Sequence, residues 1–205
     1  MKKILFITVA LMCAAFVSAQ STKKSNRQAI DLGLSVKWAS CNVGAEEPWE
    51  CGGYYAWGET AEKSEYSPES YRYTEKNEKE GKSTLTPAND AAYVNWGSEW
   101  RMPTHEEIKE LEEKCTWEWT MLNGCNGYKV TAPNGNSIFL PAAGYRDKEK
   151  IININTIGSF WASTINGFDN NYSWCLDICG TGGFRVFTGS GHECHTGRSI
   201  RAVCE

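Results

Sequence analysis

The residues with the most chemical potential lie in the last thirty or so positions. Three residues separate Cys175 from Cys179, and twelve separate Cys179 from His192, with Cys194 and His195 close behind. Thiolate and imidazole are the standard zinc ligands, so the set comes near a Cys2His2 pattern. The gap between the two histidines is one residue short, and the segment between reads as a β-hairpin rather than a helix that would present both histidines. The sequence therefore predicts no metal site and no cofactor. Nucleophilic catalysis finds little support either. Gly189-Ser190-Gly191-His192 reads as a turn, and no Gly-x-Ser-x-Gly elbow is present. Gly180-Thr181-Gly182-Gly183 lacks the lysine and the following helix that a phosphate loop needs.

A second group points to binding. Phe168, Asp169, Asn170, Asn171, Tyr172 and Trp174 mix aromatic rings with Asp and Asn in a turn between predicted strands, with Arg185 a short way downstream. Such a loop offers a ring to stack on a sugar and side chains to hydrogen-bond its hydroxyls, or it docks a protein. The opposing reading is a polar turn anchored by Tyr172 and Trp174.

The chain has nine cysteines, one of them, Cys13, in an N-terminal leader. Lys2 and Lys3, the apolar run Ile4–Val17 and the small residues Val17-Ser18-Ala19 predict a signal peptide over 1–19, hence export. The apolar run is short for a membrane span, and none is predicted. The other cysteines, Cys41, Cys51, Cys115, Cys125, Cys175, Cys179, Cys194 and Cys204, are even in number in an exported chain and so are disulfide candidates. Their spacing suggests two local clips, Cys41–Cys51 and Cys115–Cys125, with the last four pairing among themselves. Without Lys2 and Lys3 the chain holds 19 basic against 25 acidic residues. No basic patch stands out, which argues against nucleic acid as a partner.

The elements that must position these residues are mainly strands. Residues 20–28 are polar and read as a flexible tail, and 29–205 as a single domain. Ile30, Leu32, Leu34 and Val36 alternate, predicting extended chain over Ala29–Val43, and Tyr54–Trp57 reads as a second short strand. The stretch 61–84 is rich in Glu, Lys and Ser and is expected to be a polar surface loop, its tyrosines Tyr66, Tyr71 and Tyr73 either pinning it to the body or facing a partner. A short helix is expected around Asp90–Tyr93. A better one starts at Thr104, where Thr104 and Glu107 form a capping box after Pro103, with Ile108, Leu111 and Cys115 on one face and Glu106, Glu110 and Glu113 outward. Strands follow at 117–122, 128–132, 137–140, 159–164, 172–179, 184–188 and 199–203, the first two flanking Asn123-Gly124-Cys125-Asn126-Gly127. Helices followed by a strand-rich remainder predict an α+β fold.

Several segments together resemble the Fibrobacter succinogenes major paralogous domain family, abundant in exported proteins of gut Bacteroidetes-type bacteria. They are Asp31-Leu32-Gly33-Leu34-Ser35-Val36-Lys37-Trp38-Ala39, Tyr54-Tyr55-Ala56-Trp57-Gly58-Glu59, Trp100-Arg101-Met102-Pro103-Thr104, Gly127-Tyr128-Lys129-Val130, Phe139-Leu140-Pro141-Ala142-Ala143-Gly144 and Phe160-Trp161-Ala162-Ser163. The resemblance implies a C-type lectin-like fold with two short helices, antiparallel sheets and long loops, distantly similar to the formylglycine-generating enzyme. It implies binding as the default role. The calcium and sugar motif of true C-type lectins is missing, because Glu47-Pro48-Trp49 does not match it, and no counterpart of the enzyme's cysteine pair is found. The expectation is an exported, non-catalytic domain that binds glycan or protein at the bacterial surface or outside the cell. The alternatives are an enzyme of the formylglycine-generating type and a structural or adhesion subunit of a surface assembly.

Overall fold

The computed structural model describes residues 27–73, 84–166, 171–180 and 186–205, with backbone alone for 186–190. The predicted signal peptide and most of the predicted tail lie outside the described residues. The fold is α+β and mostly antiparallel sheet, with two α-helices. Among the described residues no helix is long and apolar enough to cross a membrane.

The N-terminal segment departs from a single extended strand. It folds back as a short hairpin of β1 (Ala29–Ile30) and β2 (Lys37–Ala39), in register Ala29 opposite Ala39. The reversal is local chemistry. Asp31 accepts a hydrogen bond from the Gly33 amide at 2.7 Å, and Gly33 takes φ +68°, a left-handed conformation that glycine adopts freely. Leu32 and Val36 still reach the core, from the loop rather than from a strand. Tyr54–Trp57 likewise makes one isolated bridge, Tyr55 to Arg198, instead of a strand.

The helices follow their caps. Asp90 accepts from the amides of Ala92 and Tyr93 and starts α1 (Ala91–Trp96), after a turn of 3-10 helix at Pro87–Asn89. Thr104 starts α2 (His105–Lys114) with the reciprocal capping box to Glu107, and α2 buries Ile108 and Leu111. Glu107 also holds the Arg101 guanidinium through two hydrogen bonds, at 2.6 and 2.8 Å. Glu110 is not simply solvated as expected: it accepts from the Ser35 amide and hydroxyl and so fastens α2 to the N-terminal loop.

The central sheet joins β3 (Thr116–Leu122), β4 (Cys125–Thr131) and β5 (Ser137–Pro141) in that order. Asn123 and Gly124 alone make the β3–β4 turn, both with positive φ, so the strands run further towards each other than predicted. A small hairpin the sequence did not reveal follows, β6 (Tyr145–Asp147) and β7 (Lys150–Ile152). The next sheet is β8 (Ile157–Ile165), β9 (Tyr172–Cys179) and β10 (Val186–Glu193), with β9 in the middle. The last strand, β11 (Val203–Cys204), pairs with β2.

The segment 197–203 is the spine of the fold. Gly197 bridges Arg146, Arg198 bridges Tyr55, Ser199 bridges Phe160 in parallel, and Val203 bridges Arg101 and pairs with Trp38. Five separate parts of the chain thus satisfy their backbone groups on one short piece. The core flanks it: one cluster around Trp38, Ile108, Leu111, Tyr128 and Leu140, a second around Trp57, Trp161, Met102 and Ile200. Arg201 is buried in the same place, donating to Asn42 Oδ1, the Ala39 carbonyl and the Phe139 carbonyl at 2.9 to 3.1 Å. Burial pushes its guanidinium below the usual value.

The expected surface loop is anchored by its tyrosines. Tyr66 is fully buried and donates to the Tyr54 carbonyl, Tyr71 donates to the Trp57 carbonyl at 2.7 Å, and Tyr73 meets the Trp57 ring edge-on at 5.5 Å. Residues 74–83 of that stretch lie outside the described residues.

Candidate functional site

Of the aromatic and Asn-rich turn, Asn171, Tyr172 and Trp174 are described; Phe168, Asp169, Asn170 and Arg185 lie outside the described residues. Strand β9 starts at Tyr172, opposite Glu193, and Trp174 faces Gly191 across the ladder. The Trp174 ring stacks on the His105 ring with centroids 4.4 Å apart and planes 7° from parallel. The ring expected to meet a sugar thus presents one face to the first residue of α2, which it ties to the sheet. The Asn171 carbonyl is also engaged, accepting from the Cys194 amide at 2.8 Å.

A polar cluster lies deeper in the same sheet. Ser159 on β8 donates to one Asp177 oxygen at 2.5 Å, and His192 Nε2 lies 2.6 Å from the other. Arg198 from the spine donates to Ser159 Oγ and lies over the rings of Tyr145 and Trp161. Strand register explains half of the meeting: Ser159 is directly opposite Asp177 on β9. His192 on β10 is opposite Ser173, past a shift in register between Phe187 and Ser190, and its side chain reaches Asp177 along the strands. Burial opposes the Asp177 charge, but the His192 hydrogen bond and the nearby His192 and Arg198 charges outweigh it and hold the carboxyl below its ordinary value. The residue types are those of a Ser-His-Asp triad, but the order is wrong. The carboxylate stands between serine and imidazole, so the imidazole has no position from which to take the serine proton. Ser159 is also fully buried. The arrangement is suited to cross-linking two strands and the spine.

Next to it, Cys175 is fully buried, and burial pushes its thiol well up, which disfavours the thiolate a nucleophile needs. The zinc pattern is not assembled. Cys175 and Cys179 sit four residues apart on one strand, His192 is engaged with Asp177, and among the described residues no group of three or more His, Cys, Asp or Glu could hold a metal ion.

No disulfide bond joins the eight described cysteines. One expected pairing, Cys115–Cys125, is excluded by geometry, and so is one of the ways in which the last four could pair, Cys175–Cys179. Leu122 is opposite Cys125 and Thr116 is opposite Thr131, so Cys115 and Cys125 lie at opposite ends of the β3–β4 ladder. That separation is about 20 Å at the rise of a strand, against the roughly 4.4–6.8 Å between Cα atoms that a disulfide spans. Cys175 and Cys179 are about 13 Å apart by the same arithmetic.

A concave surface lies elsewhere, over the outer face of the central sheet. Ile30, Pro48, Met121, Leu122, Ile138 and Phe139, with Ser40, Thr120, Lys129 and Ser137, line an open groove of 510 Å³. Alternation along β3 separates its two faces. Trp117 and Trp119 point to Tyr128 and the core, with edge-on ring contacts at 5.8 and 5.1 Å. Thr120 and Leu122 go to the groove side, near Lys129 and Phe139, which pair across β4 and β5. Met121 is 62% exposed and Leu122 37%. Strand β3 is an edge strand, paired on one side with β4. Sequence reading assigned this stretch to structure alone. The available signal was Met121-Leu122 beside an Asn-Gly turn, where two large apolar residues are out of place on a hairpin tip.

No family model, no curated protein and no solved structure matches this chain.

Proposed function

We propose that this protein is an exported, non-catalytic binding domain with a C-type lectin-like fold, and that its ligand is a protein segment seated in the groove over β3, β4 and β5. The observation that carries the proposal is the groove itself: an open, mainly apolar trough beside a strand edge that is unpaired among the described residues, with Met121 and Leu122 exposed on its rim. Apolar side chains of a partner gain about 1.5–3 kcal/mol each on burial, and an edge strand offers unpaired backbone groups to an extended peptide. The sugar-binding alternative is less well supported, because Trp174 already stacks on His105. The enzyme alternative has the buried Cys175 thiol to draw on, and its protonation works against it.

A displayed random-peptide library and a glycan array, each probed with the purified chain, test the reading. The expected result is peptide binding that weakens at least tenfold in Met121→Ser/Leu122→Ser with an unchanged melting midpoint. Glycan binding that depends on Trp174 and ignores Met121 and Leu122 overturns it, as does failure to bind in either format.

A further inference from the structure

Two cysteines that spacing assigns to different clips converge on one corner of the fold. Cys51 packs with Tyr54 and Tyr66 in a small third cluster. The Tyr54 hydroxyl donates to the Ala143 carbonyl at 2.6 Å. The neighbouring Ala142 amide donates to the Asn126 carbonyl at 2.7 Å, and the Cys125 thiol donates to that same carbonyl at 3.3 Å. Both side chains therefore abut the turn that leaves β5. Each is partly exposed, whereas Cys41, Cys175 and Cys194 are buried. Burial raises the Cys125 thiol, and the nearby charge of Cys51 raises it further.

We propose that Cys51 and Cys125 form a disulfide bond, tying the loop before Tyr54 to the tip of the β3–β4 hairpin. Each thiol loses its proton, and the two electrons reduce a disulfide oxidant such as glutathione disulfide to two thiols through a mixed-disulfide step. The bond closes a long loop that contains both helices, and cross-links of that kind restrict the unfolded chain most. It also holds the hairpin whose tip forms the rim of the groove, although the pairing stands independently of any ligand.

The test uses the purified full chain, reduced and then equilibrated in a glutathione disulfide buffer. Remaining thiols are alkylated, and the protein is digested and mapped by mass spectrometry without reduction. The expected product is a linked peptide pair containing Cys51 and Cys125. Cys51→Ser should leave Cys125 open to alkylation, and Cys125→Ser should do the same for Cys51. The oxidised chain should melt about 10 °C above the double variant in the same buffer, and the gap should close when reductant is added. A principal linkage joining Cys51 to Cys41, or either residue to another cysteine, overturns the proposal. So does full alkylation of both Cys51 and Cys125 after oxidation.

Discussion

The surroundings of the spine at 197–203 and the central sheet of β3, β4 and β5 use similar residues to opposite ends. Both hold many aromatic and aliphatic side chains. Around the spine these are sealed: Trp161, Ile200 and Ala202 are fully buried, and the charged Arg201 beside them is enclosed and satisfied by three oxygens. In the central sheet a single face is sealed, by Trp117, Trp119 and Tyr128, while the other opens on the groove with Met121 and Leu122 at its rim. A segment bonded to five others cannot change without disturbing them all. A sheet whose outer face, among the described residues, opens on a groove can vary that face at little cost to the fold. Stability should therefore concentrate at the spine, and recognition at the sheet.

That contrast breaks if substitutions at the two places have similar effects. The largest loss is expected for Trp161→Ala, which removes a buried ring and the indole bond to the Tyr55 carbonyl at 2.8 Å. Denaturant unfolding should show a cost of about 3–5 kcal/mol. Arg201→Leu should follow at about 3 kcal/mol, because it leaves the Ala39 and Phe139 carbonyls without their charged donor.

Asp177→Asn sharpens the electrostatic part. A carboxyl held below its ordinary value stabilises the folded state above the unfolded-state pKa, and the contribution is lost as pH falls through the lower folded value. Wild type should exceed the variant by about 2 kcal/mol at neutral pH, and the two should converge as the pH falls through the lowered folded value. Convergence at alkaline pH instead would contradict the assignment. Glu110→Gln should cost roughly 1 kcal/mol at neutral pH, since its pairing with Lys114 is at the surface. Burial opposes the Glu110 charge, but the bonds from Lys114 and Ser35 lower its pKa to about 2. Its contribution is therefore complete above the ordinary carboxyl value and fades as pH falls towards 2. The smallest stability effect, within about 0.5 kcal/mol, is expected for Met121→Ser/Leu122→Ser, where loss should appear in peptide binding.

Legibility followed range. The capping box at Thr104 and Glu107 was readable because every participant lies within one turn of helix. Strand β9 was predicted with its observed ends, because alternation and flanking turns mark it locally. The Asn123-Gly124 turn was readable for the same reason, since the pair favours positive φ on its own account. Alternation misled at Ile30–Val36, where Asp31 and Gly33 reverse the chain inside an apparently regular pattern. The candidate site was the less legible part. Trp174 looked free because nothing near it in sequence announces His105 as its stacking partner. The cluster of Ser159, Asp177, His192 and Arg198 comes from two strand registers and a distant segment, and no spacing rule anticipates it.

By itself, then, the sequence determined the α+β class, the presence of both helices and the capped start of α2, a hairpin after β3 and most of the strands, because caps, turns and alternation act between neighbours along the chain. Only the tertiary structure decided that Cys115 and Cys125 lie at opposite ends of a ladder, which tryptophan is already engaged, where the open groove lies and why residues 197–203 hold the rest together. Those features depend on which strand lies beside which, and that follows from burying all the apolar faces at once rather than from any one segment's preference.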